Sequence, residues 1–167
     1  MTSPRRKTGP SRAASARPLE ILLIEDTPIE VRRTMRALRQ GLTRPRITVV
    51  EDGEQALALL RSRTRFRPDV ILLDWYLPRK GGREVLDDLK SDQRFRRVPI
   101  VVLSISDRQE DIAAAYNGRA NAFLTKPADP GQLAKALKLI EIFWTRRLPD
   151  DSAAPAGVPS KRMTKPK

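Results

Sequence analysis

The 167-residue chain contains neither cysteine nor histidine. Without cysteine there is no disulfide framework, no thiolate nucleophile and no Cys-ligated metal. Without histidine the commonest general base and zinc ligand is missing, and with it any Ser-His-Asp or phosphohistidine chemistry carried by the chain itself. Long apolar runs are also lacking: Val70–Leu73 and Ile100–Leu103 are far too short to cross a bilayer. The basic N-terminus has no apolar stretch before a cleavage-like site, so no secretory leader is expected. What is present is 40% hydrophobic and 32% charged, the balance of a soluble globular chain, with room for one domain and its flanks. A cytoplasmic protein is expected, with chemistry run by carboxylates, hydroxyls and amines.

The net charge of +13 suggests a polyanion partner until it is located. Residues 1–18 carry Arg5, Arg6, Lys7, Arg12 and Arg17 and no acid. Residues 145–167 carry Arg146, Arg147, Lys161, Arg162, Lys165 and Lys167 against Asp150 and Asp151. Both segments are rich in Pro, Ser, Ala and Thr without apolar periodicity, and cannot bury enough to offset their ordering entropy. They are read as disordered basic tails around a domain at 19–144. Solubilising tails are preferred over nucleic-acid binding.

From Leu19 the pattern becomes an alternation. Leu19–Ile24 is an apolar run of buried-strand type (β1), ended by Glu25-Asp26. Thr27-Pro28 reads as an N-cap and first helical position (α1). Val31, Met35, Leu38 and Leu42 make one face of that helix, leaving Arg32, Arg33, Arg36 and Arg39 solvated. Ile47–Val50 is β2, Asp52-Gly53 opens α2 with Ala56, Leu57 and Leu60 inward, and Asp69–Asp74 is β3. Pro78 and Gly81-Gly82 lie in the next loop. Glu84–Lys90 is α3, Pro99–Leu103 is β4, Glu110–Tyr116 is α4, Ala122–Thr125 is β5, and Gly131–Trp144 is α5. Strands alternating with helices predict an α/β fold with a parallel sheet covered on both faces.

In open α/β sheets, ligands bind beyond the carboxyl ends of the strands. There stand Glu25 and Asp26 after β1, Asp74 after β3, Ser104 after β4 and Lys126 after β5. Any one of these reads more simply as a helix cap or a surface charge; their coincidence does not. Three carboxylates brought together would repel and raise one another's pKa. A hard cation such as Mg²⁺ resolves this and keeps waters for a phosphoryl partner. Ser104 and Lys126 can then meet the remaining phosphoryl oxygens.

In these residues the sequence resembles the receiver domains of two-component response regulators. The resemblance covers about 19–144 and rests on Glu25-Asp26, Leu72-Leu73-Asp74 with Leu77-Pro78, Ser104, Phe123 and Lys126-Pro127. It implies a flavodoxin-like (βα)5 sandwich with strand order 2-1-3-4-5 and α1 and α5 on one face. It further implies that Asp74 accepts a phosphoryl group from a sensor histidine kinase. Mg²⁺ would be held by Asp26, Asp74 and the backbone carbonyl of Tyr76, with Glu25 acting through water. Lys126 would pair with the phosphoryl oxygens, Ser104 would swing to bind one, and Phe123 would change rotamer with it. The Lys126–Pro127 bond is expected to be cis. The protein would be a phosphoacceptor in signalling rather than an enzyme.

Some residues depart from the family's habit. Tyr76 stands where a smaller polar residue is common, and its ring could shield an acyl phosphate from water. Ser104 replaces the more usual Thr, and Phe123 the commoner Tyr. After Trp144 too little chain follows for an output module, so a stand-alone receiver acting through protein contacts is expected. Leu77–Leu86, Asp111-Ile112, Ala120-Asn121 and Glu141–Trp144 resemble the small response regulators paired with bacterial phytochromes.

Along α5, Leu133, Leu137, Ile140 and Trp144 form one stripe, while Leu139, Ile142 and Phe143 add apolar surface outside it. The surplus predicts a homodimer through α4-β5-α5, with Leu139, Ile142, Phe143 and Trp144 at the interface. The plainer reading is a wider core stripe under the C-terminal tail. A haloacid-dehalogenase-like phosphatase would want an Asp at Tyr76, and a flavin carrier a hydroxyl- and glycine-rich loop at Glu25-Asp26. A phosphorylation-independent receiver-like scaffold is the remaining alternative.

Overall fold

The computed structural model describes residues 17–145, apart from 42 and 63–65. The side chains of 144 and 145 are likewise undescribed, so the expectations for the two tails, Leu42 and the Trp144 side chain lie outside the described residues. Ten elements alternate: β1 (Glu20–Ile24), α1 (Pro28–Arg39), β2 (Arg46–Val50), α2 (Gly53–Arg61), β3 (Val70–Asp74), α3 (Gly82–Ser91), β4 (Ile100–Ser104), α4 (Gln109–Asn117), β5 (Ala122–Thr125) and α5 (Pro130–Thr145). All strand pairs are parallel, and the sheet order is β2-β1-β3-β4-β5.

Burial follows from that order. β3 and β4, in the middle, are buried at every residue, whereas the edge strands β2 and β5 are only half-buried. Successive side chains on a strand point to opposite faces. Leu22, Ile24, Ile71, Leu73, Ile100 and Val102 therefore share one face, and they pack with Ala56, Leu57 and Leu60 of α2 and Val85, Leu86 and Leu89 of α3. The alternate residues Ile21, Leu23, Leu72, Val101 and Leu103, all buried, face the other way. The helices α1 and α5 pack against each other, as the resemblance implied. Each fully buried aliphatic side chain is worth roughly 1.5–3 kcal/mol, so the strands are held mainly by this two-faced burial.

Several local expectations are corrected. The buried face of α1 is Thr34, Ala37 and Leu38, with Val31 and Met35 only half-buried. Small residues let α1 approach closely, so the helix rolls toward Ala37 instead of presenting its larger stripe squarely. Arg33 is not solvated: it pairs with Glu30 at 2.7 Å and donates to the carbonyls of Pro127 at 2.8 Å and Ala128 at 3.2 Å. Those bonds fix the β5–α5 connection, and the Lys126–Pro127 bond is trans, not cis as expected. The isomers of an X–Pro bond differ by only about 0.5–1 kcal/mol, so the dipeptide alone does not decide between them. Thr27 stands at the N-cap of α1 but makes no capping bond; its hydroxyl lies 3.4 Å from Asp26 Oδ1. Asp52 does cap α2, accepting from Gln55 N at 2.8 Å.

At α5, Leu133 and Leu137 are buried and Ile140 is half-buried. Glu141 is also buried and accepts from the backbone N–H of Thr43 at 2.6 Å and from its hydroxyl. Leu139 is 68% exposed and Phe143 47%, while Ile142 is half-buried. Among the described residues no helix is long and apolar enough to cross a membrane.

Candidate functional site

Strand order reverses between β1 and β3, because β1 is followed by β2 on one side while β3 and β4 continue on the other. A crevice opens beyond the strand ends at such a switch point. Glu25 and Asp26 emerge from β1 there and Asp74 ends β3. One oxygen from each of these carboxylates lies within 4.8 Å of the others. β4 ends at Ser104 and β5 at Thr125, paired in register, which places Lys126 beside the same crevice. The backbone N–H of Lys126 donates to Ser104 O at 2.6 Å, locking these two chain positions together.

The loop after Asp74 is held as closely. Gly82 opens α3, and a Cβ there would lie 2.5 Å from Asp74 O and 2.8 Å from Trp75 Cα. Only glycine allows this approach. Arg79, at φ 60°, pairs with the buried Asp52 carboxylate, so the loop is tied to α2 as well.

Lys126 is the centre of the electrostatics. Its ammonium lies 2.5 Å from Glu25 Oε2 and 2.9 Å from Asp74 Oδ1, with Glu30 Oε2 at 4.0 Å. Burial would lower the Lys126 pKa, but the bonds to Glu25 and Asp74 outweigh it and hold the group above its ordinary value. Glu25 is almost fully buried; that burial, with the charge of Asp74 adding to it, raises its carboxyl above the usual range despite the lysine. Asp74 Oδ2 accepts from Tyr76 N at 3.2 Å, and Glu25 Oε1 from Thr27 N at 3.2 Å. Asp26 is the most solvent-accessible of the three acids.

One ammonium facing Glu25 and Asp74, with Asp26 and Glu30 close by, leaves an excess of negative charge. The charge of Asp74 adds to burial in raising Glu25, and the buried Glu30 Oε2 has no hydrogen-bond donor, only the Lys126 ammonium at 4.0 Å. Oxygen-only donors around a charge deficit of this kind suit a hard divalent cation. The residues present therefore fit a metal held by Asp26 and Asp74.

Of the residues singled out from the sequence, Glu25, Asp26, Asp74, Ser104 and Lys126 stand at the carboxyl ends of their strands, whereas Leu139, Ile142 and Phe143 lie far along α5. Ser104 is fully buried, and its Oγ accepts from Ser106 N at 3.1 Å. Phe123 is half-buried against the hydrophobic core. Tyr76 is 48% exposed, and its hydroxyl donates to Asp111 Oδ2 at 2.6 Å. Sequence reasoning missed Glu30 and Arg33, which brace the lysine-bearing loop. Their i, i+3 spacing is an ion-pair signal, but nothing in the sequence aims it at Pro127.

The family model of the response regulator receiver domain matches residues 21–138. The response regulator Rcp1 of Synechocystis sp. is 36% identical over 131 residues, covering 76% of this chain and 89% of that protein. Among solved structures, the phosphorylated cyanobacterial phytochrome response regulator RcpA has a TM-score of 0.72 at 39% identity, covering 79% of this chain and 97% of that one. The Mn²⁺-bound form of Rcp1 has a TM-score of 0.68 at 33% identity, covering 86% of this chain and all of that one.

Proposed function

The chain belongs to the response regulator receiver family, and from that premise we propose that it is a response regulator phosphorylated on Asp74 by a sensor histidine kinase. The observation that carries the reading is the buried Lys126–Asp74 pair, 2.9 Å apart, inside a cluster of three carboxylates. An Asp74 oxygen attacks the phosphorus of the kinase's phosphohistidine. The P–N bond breaks, and the imidazole nitrogen keeps the electron pair and later takes a proton. The histidine this chain lacks is thus supplied by its partner.

Lys126 releases part of its hold on Asp74 and meets the incoming phosphoryl oxygens. Buried as it is, its charge acts at low dielectric and needs little reorganisation. Asp26, Asp74 and the carbonyl of Tyr76 would hold Mg²⁺ in this reading, and Glu25 would assist through water. The metal supplies neutralisation of charge on the transferring group. Mn²⁺ is bound in the Rcp1 structure, which supports a divalent cation of this kind. Ser104 then turns its hydroxyl to a phosphoryl oxygen and Phe123 follows, carrying the change to α4, β5 and α5.

The kinase is read as a bacterial phytochrome, supported by the likeness to RcpA, a phytochrome response regulator. The domain spans 19–144 between basic tails, and signalling runs through protein contacts. A second copy docking symmetrically through α4-β5-α5 is part of the reading, supported by Leu139 and Phe143 on α5 and the half-exposed Tyr116 on α4. Incubation with acetyl phosphate and measurement of intact mass tests the core of it. A Mg²⁺-dependent gain of one phosphoryl group, lost in Asp74→Asn, is expected. No gain, together with no binding of beryllofluoride, would favour the scaffold alternative.

A further inference from the structure

Asp111, in the first turn of α4, gathers donors from two separate loops. Its Oδ1 accepts from Trp75 Nε1 at 3.2 Å, and its Oδ2 from Tyr76 OH at 2.6 Å and Ser106 Oγ at 2.7 Å. The bonds from Tyr76, Ser106 and Trp75 hold its carboxyl below the usual range, and the helix N-terminus favours the anion further. Trp75 and Tyr76 directly follow Asp74. Ser106 follows Ser104 by two residues and donates its backbone N–H to the Ser104 hydroxyl at 3.1 Å. A continuous path therefore runs from Asp74 through Tyr76, Asp111 and Ser106 to Ser104, and its Asp111 and Ser106 members are not among the proposed metal ligands.

That path has a mechanical consequence. When the Ser104 hydroxyl turns toward a phosphoryl oxygen, its lone pairs swing away from the Ser106 N–H. Residues 105–107 must follow to keep that donor satisfied. Ser106, however, is moored by its own hydroxyl to Asp111, and Asp111 is moored to Trp75 and Tyr76. Ile105, between them, is 73% exposed and so adds little packing that would resist the movement.

We infer that Asp111 is a positioning residue, a latch that holds Ser106 and Tyr76 in the unphosphorylated arrangement and so sets how readily Ser104 closes on the phosphoryl group. The inference rests on the reading of Asp74 as phosphoacceptor. A bound phosphoryl group shifts the equilibrium only by what it gains in the closed state over the open one. Bonds present only in the open state count directly against it. Removing the latch therefore tightens binding of a phosphoryl mimic while substituting none of the metal ligands.

The test compares wild type, Asp111→Ala and Ser106→Ala by calorimetry, titrating Mg²⁺ alone and then beryllofluoride in saturating Mg²⁺. Each variant is expected to bind beryllofluoride about fivefold more tightly, the equivalent of one net hydrogen bond, with Mg²⁺ affinity within about twofold of wild type. Unchanged or weaker beryllofluoride binding in either variant overturns the inference. A parallel change in Mg²⁺ affinity overturns it too, since that is the mark of a distorted site rather than a released latch. If wild type itself binds no beryllofluoride, it is the phosphoacceptor reading that fails.

Discussion

The Lys126 ammonium lies 2.9 Å from Asp74 Oδ1 and keeps Glu25 Oε2 at 2.5 Å on its other side. One cation thus holds together the ends of β1, β3 and β5. Lys126→Met leaves two buried carboxylates without it, and breaking a buried pair in this way costs roughly 3–5 kcal/mol. Urea denaturation is expected to show a lowered midpoint that Mg²⁺ partly restores, because a ligand bound only by the folded state stabilises it. A variant as stable as wild type in metal-free buffer would show that these ion pairs contribute nothing net.

Tyr76 is fixed at both ends, by its backbone N–H to Asp74 Oδ2 and by its hydroxyl to Asp111. If Asp74 is the phosphoacceptor, a ring held in this way two residues from it in sequence would limit the approach of water to the acyl phosphate. Tyr76→Asn is expected to shorten the lifetime of the phosphorylated form several-fold, followed by loss of the phosphoryl mass after the donor is removed. An unchanged lifetime would remove the shielding role.

On α5 the exposed Leu139 stands opposite the buried Leu133–Leu137 face. A charge there costs the monomer little and the proposed interface much. Leu139→Glu is expected to give monomer at tens of micromolar under conditions where wild type with beryllofluoride is dimeric by light scattering. Wild type that stays monomeric in both states would exclude this interface.

The turn after α3 supplies the pH prediction. Asp92 takes paired bonds from the Arg94 guanidinium at 3.1 and 2.7 Å and accepts from Arg94 N at 3.0 Å. These bonds pull its carboxyl from 3.8 down to about 2. A depressed folded pKa means the contribution is present above pH 3.8 and is lost as pH falls through about 2. Arg94→Ala is expected to move the Asp92 midpoint, read by NMR, back toward 3.8 and to flatten this part of the stability profile. A midpoint that stays near 2 in the variant would assign the shift to other groups.

Much of this architecture is legible because strands buried on both faces must be apolar throughout. Val70–Leu73 and Ile100–Leu103 announce the central strands, and the polar residue ending each run marks the site. The roll of α1 was not legible, since Thr34 and Ala37 carry no strong hydrophobic signal and are buried for their small size. Arg33 and Asp111 escaped for a different reason. Their partners lie 94 and 35 residues away in sequence, and no local periodicity encodes such a meeting. The trans Lys126–Pro127 bond belongs with them, since an X–Pro dipeptide prefers neither isomer strongly.

The most direct test of the central claim is to locate the phosphoryl group. Protein treated with acetyl phosphate and Mg²⁺ is reduced with borohydride, which converts an aspartyl phosphate to homoserine, and is then mapped by peptide mass spectrometry. Homoserine is expected at position 74 alone, dependent on Mg²⁺. Homoserine at Asp26 or elsewhere, or none after confirmed phosphoryl uptake, would contradict it.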